Sequence, residues 1–178
     1  MKALMNGDYK IAFQELHPLA EQGDGVAQSA IGTMYMRGFG VAQNFEKARY
    51  WYKKAAESKD INRQSLARAE AMLGAIYQDG MGVAKDYQKA LKWYKKAAKH
   101  GDASAQGLLG MMYANGRGVD QDFIEALKWF TISAEMGYTQ ATMAQDMLTE
   151  KMNAQQISKA KKRAREWMEN HEGITSDS

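Results

Sequence analysis

One block of sequence occurs three times in this chain, and this repetition limits the possible folds more than any other feature. Each copy carries a Gly-x-Gly-Val motif, and a tryptophan follows the first glycine of the motif at a constant interval. The three tryptophans, Trp51, Trp93 and Trp129, recur 42 and then 36 residues apart. Periods of roughly 20 to 50 residues are typical of solenoids, in which each repeat buries its apolar face against its neighbours. We therefore expect a stacked array.

Within a copy, apolar residues recur at spacings of three and four, which predicts two amphipathic helices joined by a short loop. In the first copy, one helix turns Ala27, Ala30, Ile31, Met34 and Tyr35 to the core. Glycines at the centre of these first helices are expected to let the next helix approach closely; they are Gly32, Gly74 and Gly110. The glycines that open each motif, Gly38, Gly80 and Gly116, are expected to end the helix with positive φ. Asn44, Asp86 and Asp122 are placed as N-caps of the second helices.

The predicted fold class is all-α, a right-handed α-solenoid of stacked helical hairpins with about nine helices, in a single repeat domain over 1–178. The expected segments are an N-terminal half-repeat at 8–23, full repeats at 25–58, 65–100 and 102–136, a half-repeat at 138–150 and a capping helix at 154–170. Pro18 predicts a kink or a local break near Gln14. The longer first interval predicts a turn around Asp60 to Gln64 and a lengthened helix from about Ser65.

The terminal helix is expected to cover the end of the core with Ile157, Ala160, Ala164, Trp167 and Met168. Its other face is predicted to be a basic, solvated surface formed by Lys159, Lys161, Lys162, Arg163 and Arg165. Capping boxes are predicted for Asn153 with Gln156 and for Asp122 with Glu125.

Composition favours a water-soluble helical array, with 45% hydrophobic residues, 25% charged residues and one proline in 178. The net charge of +3 is too small to indicate nucleic-acid binding by itself. No apolar run reaches membrane-spanning length, so membrane insertion is not expected, and the start MKALMNGDYK lacks the apolar core of a signal peptide. With no cysteine, the chain offers neither disulfides nor thiolate metal ligands.

Signs of catalysis or cofactor binding are weak. His17, His100 and His171 are too scattered for a metal site or a catalytic triad, and no phosphate-binding loop or nucleophile elbow is present. The Gly-x-Gly pairs follow predicted helices rather than strands, so they lack the context of a dinucleotide site. We expect neither an enzyme nor a bound metal or cofactor.

The motif AQSAIGTMYMRGFGVAQNFEKARYWYKKAA and its two copies resemble the Sel-one-like repeat family, helical repeats related to tetratricopeptide repeats. The leading GDYKIAFQELHPLAEQGDGVAQ and the closing ISKAKKRAREW are similar to the entry and exit segments of bacterial members. The resemblance implies a non-enzymatic adaptor that binds other proteins or peptides, often at the bacterial envelope or in signalling. The sequence leaves the compartment open between the bacterial cytoplasm and periplasm, and a monomer is expected. Two features depart from the family pattern: Lys59 stands where the other repeats have glycine, and the absence of cysteine separates the chain from disulfide-stapled members.

Three functions remain open from the sequence. The first is an adaptor or scaffold that binds a protein or peptide in a concave groove. The second is an immunity or inhibitor protein that binds one specific effector. The third is binding of nucleic acid or an acidic partner through the basic terminal helix.

The concave groove is assigned to the first helices, because these line the concave face in related helical repeats. On the helical wheel, one side of these helices is small, apolar and methionine-bearing, with polar groups at the rim. The predicted partner-binding residues are Ser29, Thr33, Met36, Arg37, Ala71, Ala75, Gln78, Asp79, Gly107, Met111, Ala114, Asn115, Met143 and Met147.

Overall fold

The computed structural model describes residues 7–171, which contain nine α-helices and no β-strand, as the all-α prediction requires. In chain order the helices are α1 Tyr9–Glu21, α2 Gly25–Arg37, α3 Phe45–Glu57, α4 Arg63–Asp79, α5 Tyr87–Lys99, α6 Ala103–Asn115, α7 Phe123–Glu135, α8 Thr139–Thr149 and α9 Ala154–Glu169. Over these residues no helix is both long enough and apolar enough to cross a bilayer. The first six residues, on which the signal-peptide expectation falls, lie outside the described part.

The helices belong to two compact units, of which unit 1 ends at Asp86 and unit 2 begins at Tyr87. In unit 1, α2 packs against α1, α3 and α4, and α3 also packs against α4. In unit 2, α6 packs against α5 and α7, and α7 also contacts α8 and α9. Each unit has its own apolar cluster, centred on Ile31 and Met34 in unit 1 and on Leu127 and Phe130 in unit 2. That the whole chain is one domain stays a prediction.

Side chains cap the helices at fixed positions of the repeat. Asn44 accepts a hydrogen bond from Lys47 N at 2.8 Å, and Asp122 accepts from Ile124 N and Glu125 N, as predicted. Asp24 and Asp102, which we did not assign from the sequence, cap α2 and α6 in the same way. The helices end as expected at three left-handed glycines, Gly38, Gly80 and Gly116, with φ of 72°, 72° and 64°.

The mid-helix glycines Gly32 and Gly110 lie against aromatic rings, which confirms their predicted role in close packing. A Cβ atom on Gly32 would lie 2.8 Å from the Tyr52 ring, and one on Gly110 would lie 2.5 Å from the Phe130 ring. Real Cβ atoms essentially never come so close. The absence of a side chain therefore allows α2 to pack on α3 and α6 to pack on α7.

Helix α1 continues through Pro18, so the local break predicted near Gln14 is absent, while the alternative of a kink stays a prediction. Pro18 lies in the last turn, so only one backbone hydrogen bond is lost close to the helix end. The helix is held by an apolar stripe, Ala12, Leu16 and Ala20, that is buried in the unit 1 core.

The turn between the first and second repeats is also shorter than predicted, since α4 begins at Arg63 rather than near Ser65. Asn62 starts the helix early by accepting a hydrogen bond from Ser65 N at 2.9 Å. The turn packs back onto the start of α2: Gly25 N donates to Asp60 O at 2.9 Å, and Ser58 Oγ donates to Gly23 O at 3.1 Å. The turn is therefore an anchored part of unit 1.

Candidate partner-binding surface

Several residues that were predicted to face outward in unit 1 are in fact buried. Ser29, Met36 and Ala71 are only 4%, 8% and 5% exposed. The prediction treated each first helix alone, whereas α2 packs directly against α4 in the folded unit. These three residues are therefore not available as an open binding surface.

Thr33 links two helices of unit 1. Its hydroxyl donates to Ser29 O at 3.0 Å, and the Tyr52 hydroxyl donates to Thr33 Oγ1 at 3.0 Å. Burial raises the pKa of the Tyr52 phenol above its usual value, and the Thr33 hydrogen bond and the charges of Arg68 and Arg37 offset part of this rise. The Thr33 side chain therefore connects α2 to α3 through its hydrogen bond with Tyr52.

The other predicted residues of unit 1 present mainly polar groups. Arg37 and Asp79 are exposed, while Ala75 and Gln78 are half-buried. Gln78 Nε2 donates a long hydrogen bond, 3.4 Å, to Asp79 Oδ1. Unit 1 therefore offers polar side chains at the ends of α2 and α4.

Unit 2 contains an apolar groove between α6 and α8, which we call the methionine groove. Its main cavity has a volume of about 230 Å³ and is lined by Met111, Ala114, Asn115, Phe130, Ala144, Met147, Leu148 and Lys151. A second cleft of about 50 Å³ shares Met111, Phe130 and Ala144 with it and is also lined by Gly107, Leu108, Tyr138, Gln140 and Ala141. The two cavities share three lining residues and therefore lie side by side.

Methionines stand on both sides of this groove. Met111 on α6 is 48% exposed, and Met143 and Met147 on α8 are 63% and 67% exposed. In the described part of unit 2, these three are the large apolar side chains that are exposed. Met143 precedes Met147 by one helical turn, although it lines neither cavity. The structure thus brings four predicted residues together at the main cavity: Met111, Ala114, Asn115 and Met147.

Gly107 was also predicted to face outward, but it is buried. A Cβ atom at this position would lie 3.0 Å from Cε1 of Tyr138, the residue that precedes α8. The ring of Tyr138 therefore covers Gly107, and only the smaller cleft reaches it. The helical wheel of α6 could not show this contact, since Tyr138 lies outside α6, just before α8.

The sequence prediction missed the floor of the groove and one end of it: Phe130, Ala144, Leu148 and Lys151. A signal for Phe130 was present in the aligned repeats. Tyr52 in the first repeat donates its hydroxyl to Thr33, whereas the third repeat has Phe130 and Met111 at the two equivalent positions. The third repeat thus lacks both the tyrosine hydroxyl and the threonine that accepts its hydrogen bond. This paired change indicates that the third repeat is apolar at these positions.

The basic face of α9 is smaller than predicted, because Arg163 is not part of it. Its Nη1 atom donates to Glu125 Oε1 at 2.6 Å, and Lys128 Nζ lies 3.1 Å from Glu125 Oε2. The Asp122 and Glu125 capping box is thus wrong in its second half, since the Asp122 N–H donates to Tyr113 O instead. The Glu125 side chain therefore does not accept a hydrogen bond from the Asp122 N–H, and it connects α7 to α9 through its contact with Arg163. The box of Asn153 with Gln156 is confirmed.

Two of the histidines make ring contacts near the ends of the described chain. The His17 ring lies 5.6 Å from the Trp51 ring, and the His171 ring stacks on Trp167 at 4.2 Å. Among residues 7–171, no group of three histidine, aspartate or glutamate side chains is placed to hold a metal ion.

The Sel1 repeat family model matches this chain over 25–60, 67–102 and 103–138. A solved Sel1 repeat protein from Oxalobacter formigenes is 38% identical with a TM-score of 0.68, and the match covers 76% of this chain and 54% of that one. A protective antigen present in uropathogenic Escherichia coli strains, which displays an SLR fold, is 26% identical with a TM-score of 0.60, over 92% of this chain and 42% of that one.

The chain thus spans about half the length of these solved relatives. No curated protein matches it. The structural matches confirm the predicted α-solenoid class, and the family match confirms the predicted resemblance. The chain belongs to the Sel1 repeat family.

Proposed function

We propose that this protein is a non-enzymatic adaptor that binds another protein through the methionine groove of unit 2. Sel1 repeat proteins generally mediate protein–protein interactions, and their fold is typically a non-catalytic scaffold. The observation that carries the proposal is the exposure of Met111 and Met147 on the two walls of an apolar groove. Exposed apolar side chains gathered around a depression are typical of interaction sites.

Methionine suits such a site for physical reasons. Its unbranched thioether adapts to different partner shapes, and methionine is enriched in the cores of protein interfaces. Complete burial of one such side chain stabilises a complex by about 1.5 to 3 kcal/mol. Met111 and Met147 are roughly half to two-thirds exposed, so each could contribute about 1 to 2 kcal/mol when a partner covers it.

The accessible unit 1 residues Thr33, Arg37, Ala75, Gln78 and Asp79 stay predicted contacts of unit 1 by itself, and the groove proposal does not depend on them. Ser29, Met36 and Ala71 are buried in unit 1 and are left out of the proposed surface, whereas Gly107 contributes only to the lining of the smaller cleft.

Capture from native extract, compared between matched variants, tests this proposal. Immobilised wild-type protein, Met111→Glu and Lys92→Glu would be incubated with extract of the source organism, and captured proteins quantified by mass spectrometry. Lys92 is an exposed lysine on α5, outside the groove lining, and serves as the control. We expect the same proteins with wild type and Lys92→Glu, and loss of at least one of them, about tenfold, with Met111→Glu.

Equal capture by all three proteins would contradict the groove assignment. Capture that nuclease abolishes, and that is lost when Lys159, Lys161 and Arg165 are replaced by glutamine, would instead support nucleic-acid binding by α9. Capture of a single effector at very high affinity would support the inhibitor alternative.

A further inference from the structure

The size of the methionine groove limits what it can hold. Pockets for small molecules and cofactors usually have volumes of about 300 to 1,000 Å³ and enclose most of the ligand. The main cavity here, at about 230 Å³, is smaller and lies open between two helices, with a cleft of only about 50 Å³ beside it. This volume fits one large apolar side chain of a polypeptide, with its neighbour lying along the cleft.

The two ends of the groove differ in charge. Among the described residues that line the two cavities, Lys151 is the one with a charged side chain, and it stands at the same cavity as Asn115. Asn115 Nδ2 donates to Met111 O at 2.9 Å, which holds the amide at the end of α6. At the other end the lining is uncharged, with Tyr138 and Gln140.

A cation beside an apolar cavity is best complemented by a ligand that carries both an apolar group and an anion. A carboxylate near Lys151 would gain a charge-assisted hydrogen bond, while no acidic side chain in the described lining would repel it. The apolar part of the same ligand would lie on Phe130, between Met111 and Met147.

We infer that the methionine groove receives a short linear segment of a partner protein in which a large apolar side chain lies within a few residues of an aspartate or glutamate. The apolar side chain occupies the main cavity over Phe130, and the carboxylate pairs with the Lys151 ammonium. This inference rests on the proposed function, since it names the chemistry of the segment that the adaptor binds.

The test selects a phage-displayed library of random 12-residue peptides on the immobilised full chain. Enriched peptides are then synthesised with a fluorescent label, and their affinities are measured by anisotropy. We expect sequences with Leu, Met, Phe or Trp and an Asp or Glu within three residues on either side. Binding should weaken about tenfold or more with Met111→Glu and with Met147→Glu, and should be unchanged with Lys92→Glu. Thermal melts establish that each variant is folded.

A double-mutant cycle isolates the proposed ion pair. Replacing the peptide carboxylate by its amide should weaken binding about three- to tenfold on the wild-type protein and have little effect on Lys151→Gln. Equal loss on both proteins would overturn the inference and leave the proposed function standing, because groove binding would persist without the pair. Peptides that bind Met111→Glu and Met147→Glu as well as wild type would contradict both. Failure to enrich any peptide would overturn the inference alone, since capture from extract tests the adaptor function separately.

Discussion

Gly110 packs closely against an aromatic ring in the core of unit 2. A Cβ atom there would lie 2.5 Å from Cδ1 of Phe130, and this ring forms the floor of the methionine groove. Overpacking a core typically costs about 1 to 3 kcal/mol, and better helix propensity returns about 1 kcal/mol. We expect Gly110→Leu to lie at the upper end of this cost, because the ring must move, and so to lower the free energy of unfolding by about 2 kcal/mol.

Urea denaturation of Gly110→Leu and of Lys92→Leu checks this expectation. Lys92 is exposed on α5. Its replacement introduces the same leucine side chain into a helix without crowding an aromatic ring. If both variants unfolded at the wild-type urea concentration, the close approach of α6 and α7 would not need glycine.

Tyr52 should make the stability of unit 1 depend on alkaline pH. Burial raises the pKa of its phenol in the folded protein, while the unfolded chain keeps a value near about 10. A group with a raised folded pKa binds its proton more tightly when folded. The contribution of Tyr52 to the free energy of unfolding is therefore fully present below a pH of about 10, and it is lost as the pH rises through the folded pKa.

Tyr52→Phe removes this contribution together with the hydrogen bond to Thr33. The pH range of about 9 to 11 spans the pKa of tyrosine in the unfolded chain. Over this range, wild type should lose more stability than Tyr52→Phe. Urea midpoints at each pH measure the difference, and Tyr50→Phe, at a half-exposed ring, is the matched control. Parallel pH profiles for wild type and Tyr52→Phe would contradict the expected effect of burial.

At the scale of elements, α9 closes unit 2 with one face and meets solvent with the other. Ala160 and Ala164 are fully buried, and the Trp167 ring packs edge to face on Trp129 with centroids 5.5 Å apart. Lys159, Lys161 and Arg165 are exposed. We expect Trp167→Ala to destabilise the protein by about 1 to 3 kcal/mol, less than a fully buried tryptophan would, because Trp167 is half-buried at the end of the array.

The matched variant replaces Lys159, Lys161 and Arg165 with glutamine, and its thermal unfolding should be within a degree or two of wild type, on the order expected for surface changes. If the two variants melt at the same temperature, the assignment of Trp167 to the packed face of α9 and of the three basic residues to the solvent face is wrong.

Helices with strong periodicity were predictable from the sequence, whereas contacts that depend on a neighbouring element were not. Apolar spacing and caps placed α2, α3, α6 and α7 correctly, because those signals are local. Helix α4 begins two residues before the predicted position near Ser65, because Asn62 caps it and the preceding turn is anchored on Gly25. Arg163 looked like part of a basic stripe, and only the folded structure brings it to Glu125, 38 residues away.

At the scale of the whole molecule, the candidate site was predicted in part. The repeat alignment found Met111, Ala114, Asn115 and Met147, because the outward side of a single helix can be read from its own period. Ser29 and Ala71 are buried in unit 1, where α2 packs against α4, and the ring of Tyr138, just before α8, covers Gly107. Such contacts depend on how one helix packs against another, which the period of a single helix does not record.

The most direct test of the central claim observes the methionine methyl groups while a partner binds. The protein carries 13 methionines, and labelling their methyl carbons with ¹³C gives resolved NMR signals that single substitutions can assign. A protein captured from extract would be purified and added stepwise. We predict that the signals of Met111 and Met147 move or broaden as the partner is added, while those of the buried Met34 and Met112 stay in place. Shifts confined to methionines outside the groove, such as Met81 and Met168, with Met111 and Met147 unchanged, would contradict the account.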